Sequence, residues 1–334
     1  MLATSQPLTS ARLIVHERLG LALLFALLIG VFIVLLPAPL LSLLGRSLSD
    51  RDGHFVGLAN FHSYFASGAL LRAFGHSLLV ASLSTLLVLT SAFATAWALT
   101  RTRLSLRGWL RGALLLPILA PSLLPAISLI YLFGEQGVLK AWLGDSSIYG
   151  PLGIVLGSCF WTFPHALMIL ITALGQSDAR LYEASRVLGS SGWRTFVTVT
   201  LPTARYGLLS AAIAVFTLTI CDFGVAKVIG GQANVLATDL YRQVVGQQNF
   251  GMGAVVSVWL LLPAVGAFFM ERHFRRRQAA SLGARASVFQ PRPHALRDHT
   301  LLAVCALIAL ALLAVIGVAV FASLATYWPY NLTP

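Results

Sequence analysis

Apolar residues in this chain neither alternate nor keep to one helical face; they come in long unbroken runs. Seven stand out: Leu19–Leu44, Ala73–Leu99, Trp109–Phe133, Pro151–Leu174, Gly207–Ile229, Gly251–Met270 and Leu301–Leu324. Each is long enough to cross a hydrocarbon core of about 30 Å as an α-helix. A helix also satisfies its own backbone hydrogen bonds, which lipid requires. The pattern predicts an all-α polytopic membrane protein. The first run follows Arg12 and Arg18 as a secretory signal would, but it is too long and lacks a small-residue cleavage site, so it is retained as a span.

Composition strengthens this picture. Of 334 residues, 57% are hydrophobic and 10% charged, against about 25% charged in soluble domains. Orientation follows from Arg and Lys. With the N-terminus inside, 17 of these residues fall in cytoplasmic segments and 6 in outer ones, so the N-terminus is expected in the cytoplasm. The net charge of +12 raises nucleic acid as a partner. Arginines that set topology and meet anionic lipid headgroups account for it without one. Cys159, Cys221 and Cys305 all fall in spans and read as small buried hydrophobes, not as a disulfide or metal set.

Several chemistries lack their residues. No G-x-x-x-x-G-K-[ST] loop occurs, and neither lysine, Lys140 nor Lys227, follows a glycine, so the chain has no phosphate-binding loop of its own. HExxH, GxSxG and CxxC are absent too. His165 lies mid-span after Pro164 without a second ligand nearby in sequence, which reads as a packed or hydrogen-bonded histidine. A polytopic membrane enzyme is left without a nucleophile or base.

Against this background the stretch YEASRVLGSSGWRTFVTVTLP, Tyr182 to Pro202, interrupts two apolar runs. Asp178 can cap a helix, Gly189 can end it, Ser191 can cap a second helix near Trp193, and Pro202 is expected to close the unit. Its apolar residues (Leu181, Ala184, Val187, Leu188, Val197, Val199) are too many for a solvated loop. Either lipid covers them, as for an interfacial amphipathic helix, or a soluble partner does.

Spacing favours the partner. From Glu183 the order is E-A-S, three residues, Gly189, nine residues, then V-T-L-P. This resembles the EAA signature, EAA-x3-G-x9-I-x-L-P, of the membrane subunits of bacterial ATP-binding-cassette importers, with Ser185 and Val199 as the departures. The resemblance implies a type I importer permease: a six-span bundle at 1–271, with this loop coupled to a separate ATPase. Glu183, Ala184, Ser185, Gly189, Val199, Leu201 and Pro202 would form the coupling loop. It implies no cofactor in this chain, ATP and Mg being held by the partner ATPase. Further implied partners are a periplasmic substrate-binding protein, membrane lipid and a second permease half, whether fused, separate or homodimeric. The implied location is the bacterial inner membrane. The segment GLANFHSYF, Gly57 to Phe65, resembles a GLxNF segment of the same superfamily and is expected at the outer interface.

Two features bear on a solute path. Pro117, Pro121 and Pro125 recur every four residues in the third run, so that helix must kink or open; the kinks serve either packing or the pathway. Asp222 is a carboxylate in or near the membrane at the end of the fifth run, either lining the path or held in a structural hydrogen bond. Lys227, about 140° further round a helix, is expected to reach the headgroups. The stretches DFGVAKVIGGQANVLATDLYRQVVGQQNFGMGAV and YLFGEQGVLKAWLGDSSIYGPLGIVLG resemble the 2-aminoethylphosphonate permease branch, related to ferric-iron and polyamine permeases. That makes 2-aminoethylphosphonate or a similar small polar solute the expected cargo, with ferric iron or a polyamine as the alternative.

After the six spans, residues 272–300 form a basic connector, and 301–334 add a seventh span with an outer segment. Ser323-Leu324 matches Ser47-Leu48 at an offset of 276. The additional span is therefore expected to open a second, incomplete permease repeat. A secondary transporter or channel that needs no ATPase is the competing class; it predicts more intramembrane charge and inverted repeats.

Overall fold

The computed structural model describes residues 8–35, 37–279, 291 and 293–325. Among them there is no β-ladder, only an isolated bridge between Ser49 and Phe55. The first apolar run forms α1 (Leu8–Leu35) and α2 (Pro37–Ser47). From Gly20 to Leu35 its side chains are exposed. A turn then leads to α3 (Ala59–Ala66), tied back by Asn60 Nδ2, which donates to the carbonyls of Ser47 (3.0 Å) and Ser49 (2.9 Å). Tyr64 of α3 is buried.

The centre of the bundle is α4 (Ala69–Arg101), which packs on α8 and α11. Ala73, Ala81, Ser84, Ala92 and Ala96 of α4 are fully buried. Without a hydrophobic force between helices in lipid, such small residues let backbones approach and gain dispersion contact. Next come α5 (Arg107–Leu115), a single 3₁₀ turn at Leu116–Leu119 and α6 (Leu123–Phe133). The axis turns by 102° between the two arms. The third apolar run is thus a broken pair, not one kinked helix: Pro117 lies in the 3₁₀ turn, Pro121 in the gap and Pro125 in the first turn of α6. Proline tolerates the first turn of a helix, where its missing N–H is not needed.

After the short α7 (Lys140–Leu143) comes α8 (Pro151–Gly175), then α9 (Ala179–Val187) and α10 (Gly192–Thr195). A π turn at Phe196–Thr200 joins α10 directly to α11 (Leu201–Cys221). The fifth span accordingly starts at Gly192 and ends at Cys221, earlier at both ends than its apolar run. Asp222 has extended backbone (ψ 122°), and α12 (Gly224–Ile229) is a separate helix. Pro202 does not close the loop unit. It is the second residue of α11, well inside the continuous Gly192–Cys221 helix, and the π turn before it shifts the bonding register where a proline has no N–H to donate. Cys221 is exposed and Cys159 half-buried; only Cys305 is buried as expected.

The chain continues through α13 (Leu236–Tyr241) and a second π turn at Arg242–Gly246 into α14 (Phe250–Ala279), then α15 (Ala295–Leu324). Both flanking helices extend into the expected connector, of which residues 280–290 and 292 lie outside the described residues. The outer segment after α15 lies outside them beyond residue 325. The α15 helix packs on α4, α5 and α6 through Cys305, Ala309 and Leu312, one stripe at i, i+4, i+7. Among the described residues, six helices are long and apolar enough to cross a membrane, or seven when the bent pair counts as one span.

Candidate functional site

The structure gathers the sequence candidates into two places. The first is the α9–α10 loop. Asp178 caps α9, accepting the Arg180 N–H at 3.0 Å, and Ser191 caps α10, accepting the Arg194 N–H at 3.3 Å. Gly189 has φ +69°, the left-handed conformation that ends a helix at low cost only for glycine. Ser185 is buried, and its hydroxyl lies 2.8 Å from that of Thr195, bolting α9 to α10. This is a specific use for the residue that departs from the signature's second alanine. Tyr182, also buried, donates to Thr200 Oγ1 at 3.2 Å.

The opposite face is bare. Val187 is 88% exposed, Leu188 82% and Trp193 75%, with Glu183 and Ala184 exposed beside them. Of the remaining candidates, Leu201 is exposed and Val199 half-buried, both on the stem that leads into α11. The loop is a rigid, internally bonded knob with apolar side chains on its outer surface.

The knob is fastened to the bundle by residues the sequence did not nominate. Phe196 packs edge-on against Phe93 and Trp97 of α4, at 6.0 and 6.4 Å, and stacks with Trp193 at 5.6 Å. Arg101, only 4% exposed, lays its guanidinium over the Tyr182 ring at 4.6 Å. Its Nη2 donates to the Leu174 carbonyl at 2.7 Å, at the C-terminal end of α8, where a cation meets unpaired carbonyls and the negative end of the helix dipole. Sequence counted Arg101 only among the charges that set topology. Its position at the end of an apolar run carries no mark that separates it from an arginine in the headgroups.

The second place is the break between α5 and α6. Asp222 comes to it from the end of α11. Its Oδ2 accepts the Val225 N–H at 2.9 Å. Asp222 therefore satisfies a first-turn N–H of α12, and the start of α12 packs against Ser122 at the gap. Gly224 is needed for that approach, since a Cβ there would meet Ser122 Oγ at 2.5 Å. Pro121 and Asp222 are brought together; Pro117 sits buried on the α5 side. Lys227 is exposed, but its Nζ lies over the Tyr241 ring at 4.6 Å. His165 Nδ1 donates to the Trp161 carbonyl at 3.0 Å, the hydrogen-bonded histidine expected.

Near α3 a further carboxylate, Asp239, is fully buried and was not nominated. It accepts from Tyr64, from Asn234 Nδ2 at 2.9 Å, and from Arg242. Burial first, then the Asp239 carboxylate, push the Tyr64 phenol well above its ordinary range. The cluster joins α3 to α13. No ligand-like geometry distinguishes it from a structural node.

A family profile described as binding-protein-dependent transport system inner membrane component matches residues 88–280, which include both places. The molybdenum transport system permease protein ModB of Azotobacter vinelandii is 34% identical over 165 residues, 48% of this chain and 73% of the relative. The spermidine/putrescine transport system permease protein PotC homolog of Mycoplasma genitalium is 25% identical over 205 residues, 61% of this chain and 70% of the relative. The ferric transport system permease protein FbpB of Actinobacillus pleuropneumoniae is 25% identical over 234 residues, 65% of this chain but 34% of the longer relative. Among solved structures, a bacterial alginate ABC transporter in complex with its periplasmic protein superposes with a TM-score of 0.64 at 17% identity, covering 80% of this chain and 97% of that one. The profile match spans more than half of the sequence, and the chain belongs to the family of binding-protein-dependent transport system inner membrane components.

Proposed function

We propose that this chain is the translocation subunit of an importer whose ATP is hydrolysed by a separate subunit docked on the α9–α10 knob. The observation that carries the reading is the pairing of a rigid loop with an exposed apolar face, Val187, Leu188 and Trp193, in register with the EAA spacing. A lipid-lying amphipathic segment needs no internal bolt between its two helices. A docking knob does, because it must transmit displacement instead of yielding to it. Through Phe196 and Arg101 such a displacement reaches α4 and α8. A periplasmic binding protein would deliver solute at the opposite, outer end, and the N-terminus would lie in the cytoplasm.

The solute is read as 2-aminoethylphosphonate or a similar small polar molecule, on the resemblance of the two segments quoted above. The relatives' names divide among molybdenum, polyamines and ferric iron, which supports a small charged solute and leaves ferric iron or a polyamine as the alternative. Titrating the cognate binding protein with 2-aminoethylphosphonate, spermidine, molybdate and ferric ion, followed by ATP-driven uptake, tests this. Saturable binding and uptake of one of the other three only would discard the phosphonate reading.

A second permease half completes the reading, and one observation favours it. The α1 residues from Gly20 to Leu35 are uncovered, whereas α15, the seventh span, is seated on α4, α5 and α6. The Ser47 and Ser323 positions, matched at an offset of 276, both fall at the end of an apolar helix. We read α15 as the first span of a second permease unit, held by the first.

A further inference from the structure

The break between α11 and α12 lies inside the layer that α8 crosses. Two glycines of α8 fix its depth. A Cβ on Gly153 would meet Ile229 Cγ1 at 2.8 Å, and one on Gly157 would meet Val225 Cγ1 at 2.7 Å. So α12 runs antiparallel to the first turns of α8, at the end remote from the knob, and the extended Asp222 lies deeper than Val225. Gly157 is already about 9 Å along α8 from Pro151. Non-helical backbone at such a depth persists only where protein covers it or where it borders water. Among the described residues protein does not cover this side: Cys221 is exposed, Asp222 and Phe223 are half-buried, and Lys227 is exposed. A carboxylate and an ammonium on this side are also costly against hydrocarbon.

Lys227 does not extend toward the headgroups. Its Nζ lies 4.6 Å from the centre of the Tyr241 ring, and that ring rests on Phe223 with centres 5.0 Å apart. An aromatic face holds an ammonium in place without neutralising it. Among the described residues no carboxylate pairs with this one. A seated cation that keeps its full charge attracts small anions and repels other cations. We propose that this side of α11 and α12 borders the solute path, and that Lys227, seated on Tyr241, contacts the solute and selects small oxyanions, such as a phosphonate or molybdate, over polyamines. The polyamine alternative is then disfavoured by the permease itself, whatever its binding protein delivers.

Because this role for Lys227 rests on the importer reading, uptake is measured in proteoliposomes holding permease, ATPase and binding protein, with and without ATP. Molybdate, 2-aminoethylphosphonate and spermidine are the probes. The parent chain should take up one of the two oxyanions and not spermidine. Lys227→Met keeps the apolar stem and removes the charge. It should lower maximal uptake about tenfold, the loss of one charge-assisted contact, with ATPase retention and melting midpoint unchanged. Lys227→Arg should keep most of the uptake. Parent-like uptake by Lys227→Met would overturn the role, as would spermidine transport by the parent chain. A loss of uptake matched by a lower melting midpoint or a lost ATPase would make Lys227 a structural anchor and overturn it too. Oxyanion uptake by the parent that needs no ATP would remove the importer reading instead, and the Lys227→Met comparison would still decide whether Lys227 meets the solute.

Discussion

At φ +69°, Gly189 occupies backbone space where a side chain meets its own carbonyl, although no neighbouring atom lies within 4 Å of its Cβ direction. Gly189→Val should therefore act through strain alone, about 1–3 kcal/mol if the turn is held. The bundle should insert normally, while the ATPase is lost on co-purification or kept without coupling. A parent-like complex with parent-like uptake would show that the turn tolerates the change. Asp222 offers a sharper distinction. As the cap of α12 it needs an acceptor oxygen and not a charge. Asp222→Asn should melt in detergent near the parent chain, whereas Asp222→Ala should lose about 1 kcal/mol. If Asp222→Asn keeps its stability but loses uptake, the carboxylate acts on solute and the structural reading fails. At this scale the sequence was legible where a residue type has one local use: Gly189, Asp178 and Ser191 stand where their chemistry implied. Arg101 and Asp239 were not, because what defines them is a partner far away in sequence, Leu174 and Tyr64 respectively.

Helices meet in this bundle through small residues, and the tightest approach near the loop is that of α11 to α8. A Cβ on Gly207 would lie 2.2 Å from Ala173 Cβ. Gly207→Val should force the two helices apart at an overpacking cost of about 1–3 kcal/mol. Thermal unfolding in detergent checks this; an unchanged midpoint would mean that the helices part without penalty. The bolt inside the knob is a separate element. Replacing Ser185 by valine breaks the bond to Thr195 and leaves that half-buried hydroxyl without this partner, a loss of about 1 kcal/mol. Its expected signature is weaker coupling of ATP hydrolysis to uptake with ATPase binding retained, because the exposed face is untouched. Apolar run length identified the spans. It could not locate their ends at Gly192 and Cys221, since a helix can begin among polar residues when its cap and packing allow. Nor could the three prolines fix a bend of 102°, because a proline kink and a full break share the same local signal.

For the whole molecule, one chain presents one α9–α10 knob and leaves α1 bare from Gly20. On the proposed reading, in which a second permease half completes the transporter, native mass spectrometry of the assembled complex should find two permease units, each presenting one knob. A transporting complex with a single six-span unit would remove the need for a second half. The central claim concerns the exposed face of the knob, and it is tested most directly by reversing that face's chemistry. Val187→Asp combined with Leu188→Asp places two carboxylates where both side chains are more than four-fifths exposed, so folding and insertion should be unaffected. The measurement is ATP-driven solute uptake by proteoliposomes containing permease, ATPase and binding protein, with retained ATPase quantified in the same preparation. The account predicts that the double variant inserts like the parent, loses the ATPase and takes up solute at the background rate. A double variant that retains the ATPase and transports like the parent would contradict it and leave the loop as a segment resting on lipid.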